Sequence, residues 1–220
     1  MIEYPKIETV FVRSEDGKRK LIEGAYRNKA VEYLKDAEWE WTEKVDGTNI
    51  RIHWDGYKVE IGGRTDNAQI PARLYKKLET IFKTDEAEEL FEQKFGVDDV
   101  ILFGEGFGFK IQKCGAEYIP NDNDFCLFDV LINDVWLDRM AVHDIAKTFG
   151  VPDAPVVGTG NIESAVKYVK SHPKSQFGTA YMEGLVGRPS AGLLDRLGRR
   201  IIVKVKYRDF ESEGNTNEPN

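Results

Sequence analysis

Lys44 stands in "EKVDGTN" (43–49), two residues before Asp46-Gly47 and five before Asn49. Asp-Gly is ordinary turn chemistry, and on that reading Lys44 is a solvated surface charge. The other reading is a lysine nucleophile. A free lysine has a pKa of about 10.4 and is ammonium at neutral pH, so a nucleophilic one needs nearby cations or desolvation to lower that value. Two cations stand far along the chain, Lys204 and Lys206 in "IIVKVKY". Two apart on a predicted strand, they share a face with Ile202, while Ile201, Val203 and Val205 take the other. Such a pair suits a polyphosphate; a solvated strand edge is the plainer alternative.

Four more stretches set polar groups beside apolar strands. Arg64 follows a Gly-Gly pair in "EIGGRTD" and offers a fork for phosphate or ribose oxygens, or is a loop arginine. Glu105 ends an apolar run between Gly104 and Gly106, near the sheet surface with little steric cover. Phe128-Asp129 in "CLFDVLI" is either core with one satisfied carboxylate or a ring poised to stack on a nucleobase. Glu183 opens "EGLVGRP".

These residues need strands to hold them. "NIRIHW" and "YKVEI" alternate on either side of Asp55-Gly56, which predicts a hairpin with a two-residue type I′ turn. Residues 9–13, 99–105, 124–133, "YMEGLVGRP" and "RRIIVKVKYRDF" also read as strands, with Asn133-Asp134 turning the chain back. Helices are expected over 27–36, over 70–95 with a break near Thr84-Asp85, over 138–150, and over 161–171 with Asn161 as cap. Pro71 suits a first helical turn, and 151–160 reads as a loop. Hairpins and long connections in place of βαβ alternation predict an α+β domain with largely antiparallel sheets.

The chain has 220 residues, enough for one large domain. Its net charge of −7 speaks weakly against a nucleic-acid binder, but 31 basic residues can still build a local phosphate groove. No apolar run reaches the roughly 18–20 residues of a membrane span, and the N-terminus lacks signal-peptide character. Cys114 and Cys126 make no disulfide framework or metal spacing and read as buried thiols in a reducing cytoplasm. His53, His143 and His172 are too scattered for a metal or acid–base role. No dinucleotide-binding or P-loop glycine motif is present where its fold would need it, and "GEGFGF" lacks the spacing.

The order of the stretches carries more than any one of them. Lys-x-Asp-Gly, strand-Gly-Glu, Phe-Asp, Glu-Gly and Lys-x-Lys, running from Glu43 to Tyr207, resemble the ordered motifs of the covalent nucleotidyltransferases. These are the polynucleotide ligases that use ATP or NAD and the GTP-dependent mRNA-capping enzymes. The chain is most similar to the ATP-dependent RNA ligases of the phage nick-sealing and kinetoplastid editing type. Asn49 stands where DNA ligases and capping enzymes usually carry Arg, and "GGRT" resembles the RNA ligases' second nucleotide-contacting segment. Asp46 departs from them, since they often carry His there.

The resemblance implies a nucleotidyltransferase (adenylation) domain over 1–210, with flanking helices, a polar disordered tail at 211–220, and no C-terminal OB-fold or helical domain. It implies that Lys44 attacks the α-phosphorus of ATP to form lysyl-AMP, with Lys204 and Lys206 assisting. Glu43, Val45, Asp46, Asn49, Arg64, Glu105, Phe128 and Glu183 would join Lys204 and Lys206 in binding the nucleotide. Within that set Asn49 and Glu105 go to the ribose, Phe128 to adenine, Arg64 to ribose or phosphate, and Glu183 to Mg²⁺ or Mn²⁺. AMP would then pass to a 5′-phosphate RNA end and leave as a 3′-OH seals it, with nicked duplexes among the substrates left open. A protein partner replacing the missing domain and a cytoplasmic location, that of the host if phage-encoded, complete the expectation. A minimal DNA ligase, a capping guanylyltransferase and a non-catalytic nucleotide- or RNA-binding module are the alternatives.

Overall fold

The computed structural model describes residues 1–15 and 21–210; the tail expected at 211–220 lies outside the described residues. In chain order the strands are β1 (Glu8–Thr9), β2 (Phe11–Arg13), β3 (Leu21–Tyr26), β4 (Trp39–Lys44), β5 (Thr48–Trp54), β6 (Val59–Gly62), β7 (Val100–Gly108), β8 (Asn123–Ile132), β9 (Val135–Trp136), β10 (Val156–Gly160), β11 (Gly184–Pro189) and β12 (Val203–Lys206). The helices are α1 (Lys29–Tyr33), α2 (Ala72–Phe82), α3 (Asp85–Phe95), α4 (Gly115–Tyr118), α5 (Arg139–Thr148) and α6 (Ile162–Lys170). The class is α+β, as the hairpin pattern predicts; among the strands of the described residues β1 and β12 are the one parallel pair, and Leu127 of β8 adds an isolated parallel bridge to Asp153. No described helix is long and apolar enough to cross a membrane.

The chain divides into two compact units. The first comprises Met1–Pro5, Val45–Ala154 and Phe177–Ala180; the second comprises Lys6–Lys44, Pro155–Gln176 and the chain from Tyr181 onward.

The first unit holds a five-stranded sheet in the order β6-β5-β7-β8-β9. Period-2 alternation sends Ile50, Ile52 and Trp54 to one face, where they are buried with Leu102, Phe125 and Leu127 against the helices' Leu74, Leu78, Phe82 and Phe91. Each such side chain contributes roughly 1.5–3 kcal/mol when fully buried. The predicted helix break is sharp because Thr84 Oγ1 accepts from the Ala87 N–H at 3.2 Å and starts α3 afresh.

Two turns differ in an instructive way. Asp55-Gly56 does not form the expected two-residue turn. Burial of both Trp54 and Val59 pairs them directly, which leaves four residues, 55–58, in the loop. Asp55 Oδ1 closes that loop by accepting from the Tyr57 and Lys58 N–H groups, each at 2.9 Å. The two-residue turn sits at Asn133-Asp134 instead, between the paired Ile132 and Val135, with φ of 45° and 67°. Positive φ at both central positions is the type I′ signature.

The second unit holds a sheet in the order β1-β12-β11-β4-β10 beside the two-stranded β2-β3. Trp39, Trp41, Leu185, Val203 and Val205 are buried on one face with Ile162, Ala165, Val166 and Val169 of α6. Asn161 caps α6 as expected, accepting from the Ser164 N–H at 2.9 Å. The expected loop at 151–160 becomes strand at Val156–Gly160, because β4 offers an edge for it; a short run with two glycines and little burial carries no alternation to read. The expected helix over 27–36 shortens to Lys29–Tyr33, and the last strand to Val203–Lys206.

Candidate active site

Strand parity decides the fate of neighbours on β4. Glu43 falls on the Trp39 and Trp41 face and is buried, whereas Lys44 falls on the half-exposed face with Thr42. Across the sheet, Lys44, Gly184 and Lys206 lie in one register row over β4, β11 and β12, and Thr42, Val186 and Lys204 lie in the next. A Cβ on Gly184 would stand 2.0 Å from the Val205 carbonyl oxygen, so the centre of the row must be glycine. Glu183, the residue before it, then reaches both cations. Lys44 Nζ donates to Glu183 Oε2 at 2.6 Å, and Lys206 Nζ donates to Oε1.

The electrostatics follow from that packing. Burial raises the Glu183 carboxyl, but Lys44 and Lys206 outweigh it and hold the group below the usual carboxylate range. Burial, reinforced by Lys206 and Lys44, lowers Lys204 to about 8 from its ordinary 10.5, while Glu183 and Glu8 oppose the shift. Three lysines around one acid thus form a site with a surplus of positive charge, suited to phosphate oxygens.

Glu43 is spent internally. Its carboxylate accepts from the Ser175 hydroxyl and from the Gln176 N–H at 2.9 Å, and burial raises its pKa against these two hydrogen bonds. Val45 is likewise core in the first unit, buried with Phe107, Tyr118 and Cys126. Both side chains are therefore buried in the packing of their own units. Ser175 and Gln176 lie more than 130 residues from Glu43, and no spacing in the sequence announces them.

In the first unit the Asp46-Gly47 turn is held by side chains from one connection. Tyr118 Oη accepts from the Asp46 N–H at 3.3 Å, and Gln112 Nε2 donates to Gly47 O at 2.8 Å. A Cβ on Gly47 would lie 2.3 Å from Gly106 O, so this glycine answers to close approach of β7. Cys114 is only half-buried, against expectation; burial and the adjacent Asp46 carboxylate push its thiol up to about 11. Cys126 is buried as expected.

Asn49 pairs in register with Glu105 across β5 and β7. Asn49 Oδ1 is buried and has no hydrogen-bond partner, a costly arrangement that a ligand donor would relieve. The glycines flanking Glu105 have a different origin from the one expected. Their missing Cβ atoms would strike the Phe125 ring at 2.2 Å and Leu74 at 2.4 Å, so they serve the core beneath the strand. Phe128 sits at a β-bulge: Phe103 pairs with Asp129, Gly104 with Leu127, and Phe128 is skipped. The bulge reverses the alternation, so Leu127 and Val130, three apart, both enter the helix-covered core. Phe128 is left half-buried, edge-on to Tyr4 at 5.0 Å, and Asp129 is a core carboxylate accepting from Tyr4 Oη at 2.8 Å.

Arg64 is exposed in the loop after β6. What anchors that loop is Arg51, which alternates with Ile50 and Ile52 along β5 and is nonetheless fully buried, donating to Gly63 O at 2.6 Å and Asp66 Oδ1 at 2.9 Å. Among the described residues no cluster of three or more His, Cys, Asp and Glu side chains could hold a metal ion. A single carboxylate, Glu183, stands in the lysine row, accepting from Lys44 and Lys206; one or two carboxylates together with substrate phosphates are what Mg²⁺ commonly takes, so Glu183 would be the residue to hold it.

A family model described as RNA ligase matches residues 37–206. No curated protein matches the chain. Among solved structures, the Naegleria gruberi RNA ligase with pyrophosphate aligns with 93% of this chain at a TM-score of 0.65 and 18% identity, over 56% of its own length. A mutant of that ligase with AMP and Mn gives the same figures. An archaeal ATP-dependent RNA ligase aligns with 95% of this chain at a TM-score of 0.61 and 16% identity, over 49% of its own length. This chain thus spans about half the length of those ligases, and at such identities the likeness is one of fold.

Proposed function

This chain belongs to the RNA ligase family, and on that premise we propose that it is an ATP-dependent RNA ligase working through lysyl-AMP on Lys44. The observation that carries the proposal is the row of Lys44, Gly184 and Lys206 gathered on Glu183, with Lys204 in the adjoining row. In the first step the deprotonated Lys44 amine attacks the α-phosphorus of ATP. An N–P bond forms, the α–β phosphoanhydride bond breaks, pyrophosphate leaves, and the nitrogen gives its remaining excess proton to solvent. Glu183 keeps Lys206 as its partner when Lys44 turns to attack, and Lys204 and Lys206 offset the charge on the departing pyrophosphate.

Next a 5′-phosphate oxygen of RNA attacks the same phosphorus and frees Lys44. A 3′-OH then attacks the RNA phosphate, AMP leaves, and the strand is sealed. Asn49 and Glu105 serve the ribose, Phe128 the adenine, and Arg64 ribose or phosphate oxygens. Asp46 holds the turn, and Glu43 and Val45 contribute through the main chain only. Glu183 would hold a Mg²⁺ or Mn²⁺ ion, which when bound supplies charge neutralisation at the α-phosphate. The cytoplasm as location, and a partner protein extending the grip on RNA, belong to the same proposal.

The test is incubation with labelled ATP or GTP and Mg²⁺, followed by denaturing electrophoresis. A covalent adduct is expected with ATP and lost in Lys44→Ala. An adduct formed with GTP alone sinks the ligase reading, and one that survives Lys44→Ala removes Lys44 as nucleophile. Sealing assays on nicked RNA and DNA duplexes then read the choice of ends.

A further inference from the structure

Three aromatic rings from separate segments of the second unit form a column. His172 stacks on Tyr207 with ring centroids 3.6 Å apart and planes at 3°, and on Tyr181 at 4.2 Å and 23°. Lys174 Nζ lies 3.4 Å from the Tyr181 ring centroid. The column is rigidly built. Lys174 and Tyr181 form a β-bridge, and the Met182 N–H donates to Pro173 O at 2.9 Å. His172 adopts φ of 52°, a left-handed conformation that is uncommon for residues with a side chain but in which His is enriched.

Both tyrosines adjoin the lysine cluster. Tyr181 precedes Glu183 by two residues, Tyr207 follows Lys206 directly, and the Tyr207 N–H donates to Glu183 O at 2.9 Å. Tyr181 remains 46% exposed.

We propose that this column is a landing face for the RNA strand at the end being joined, an inference that rests on the ligase reading above. Tyr181 supplies a ring on which an unpaired base stacks, a sequence-tolerant contact because every base has a π face. The Lys174 ammonium keeps that ring covered until the base arrives, then moves to the phosphate that comes with it. His172 and Tyr207 back the ring, so little conformational freedom is lost on binding.

ATP alone drives self-adenylylation, so the test separates this inference from the ligase reading. Wild type and variants are compared for lysyl-AMP formation, thermal midpoint, and binding of a fluorescent 5′-phosphorylated single-stranded RNA. Tyr181→Ala should weaken RNA binding about tenfold and leave adduct yield within about twofold. Tyr181→Phe should bind like wild type. Lys174→Ala should lower the salt dependence of binding by about one phosphate contact. The inference is overturned if Tyr181→Ala binds RNA like wild type, if it loses adduct and RNA binding together, or if wild type does not bind the RNA. A wild type that binds RNA in this manner but forms no adduct overturns the ligase reading alone.

Discussion

The two units carry their candidate residues in opposite electrostatic settings. The second unit has 19 basic against 16 acidic residues, and the first has 12 against 22. In the second, Lys44, Lys204 and Lys206 crowd one half-exposed sheet face with Glu183 as their shared counter-ion. In the first, the candidates are an unpaired amide oxygen on Asn49, a half-buried ring on Phe128 and a lone exposed arginine, Arg64. The assembly differs as well. The first unit brings Asn49, Glu105 and Phe128 together over three strands paired in succession, β5, β7 and β8. The second must join Lys44 to a residue 139 positions away before the cluster exists. Glu183 offsets part of the positive charge of the lysine cluster, while the Asn49 amide oxygen has no hydrogen-bond partner.

This contrast predicts stability effects of opposite sign. The largest belongs to Glu183→Gln. It leaves three cations crowded without their counter-ion, so unfolding free energy should fall by about 3 kcal/mol, read from urea denaturation, together with loss of adduct. An unchanged denaturation midpoint would break the comparison. Asn49→Ala should act the other way. Removing a buried, unpartnered oxygen should leave stability equal or raise it by about 1 kcal/mol, while slowing adduct formation about tenfold. A clear loss of stability would mean that the amide already has a structural partner.

The smallest effect is one of pH. Lys204 titrates near 8 in the folded chain and at an ordinary 10.5 when unfolded. Below about pH 8 its forced protonation costs stability. Between about 8 and 10.5 the unfolded chain binds more protons than the folded one, so this group makes stability rise with pH. Lys204→Met should flatten that part of the profile, measured as the urea midpoint against pH. A wild-type midpoint with no Lys204-dependent rise in this window would contradict the shift.

Much of this molecule was legible from local pattern. The alternation of Ile50, Ile52 and Trp54, the break at Thr84, the Asn161 cap and the Asn133-Asp134 turn all depend on neighbours a few residues away, and all are present. The Asp55-Gly56 turn failed because the burial of Trp54 and Val59, a demand of the core, set the register first. β10 was missed because its pairing comes from β4, not from its own residues. The glycines around Glu105 were misread since their neighbours, Phe125 and Leu74, come from other elements.

The sequence by itself determined the class of fold and the ordered set of polar residues, because strand parity, caps and motif order are all local. The tertiary structure alone decided what those residues do to one another. Register across β4, β11 and β12 gives Lys44 and Lys206 the same carboxylate, and a bulge in β8 turns Phe128 away from the helix-covered core. Burial lowers Lys204 and spends Glu43 on Ser175 and Gln176. Each of these depends on partners distant in the chain, and only packing sets the burial and distances that fix their charge and hydrogen bonding.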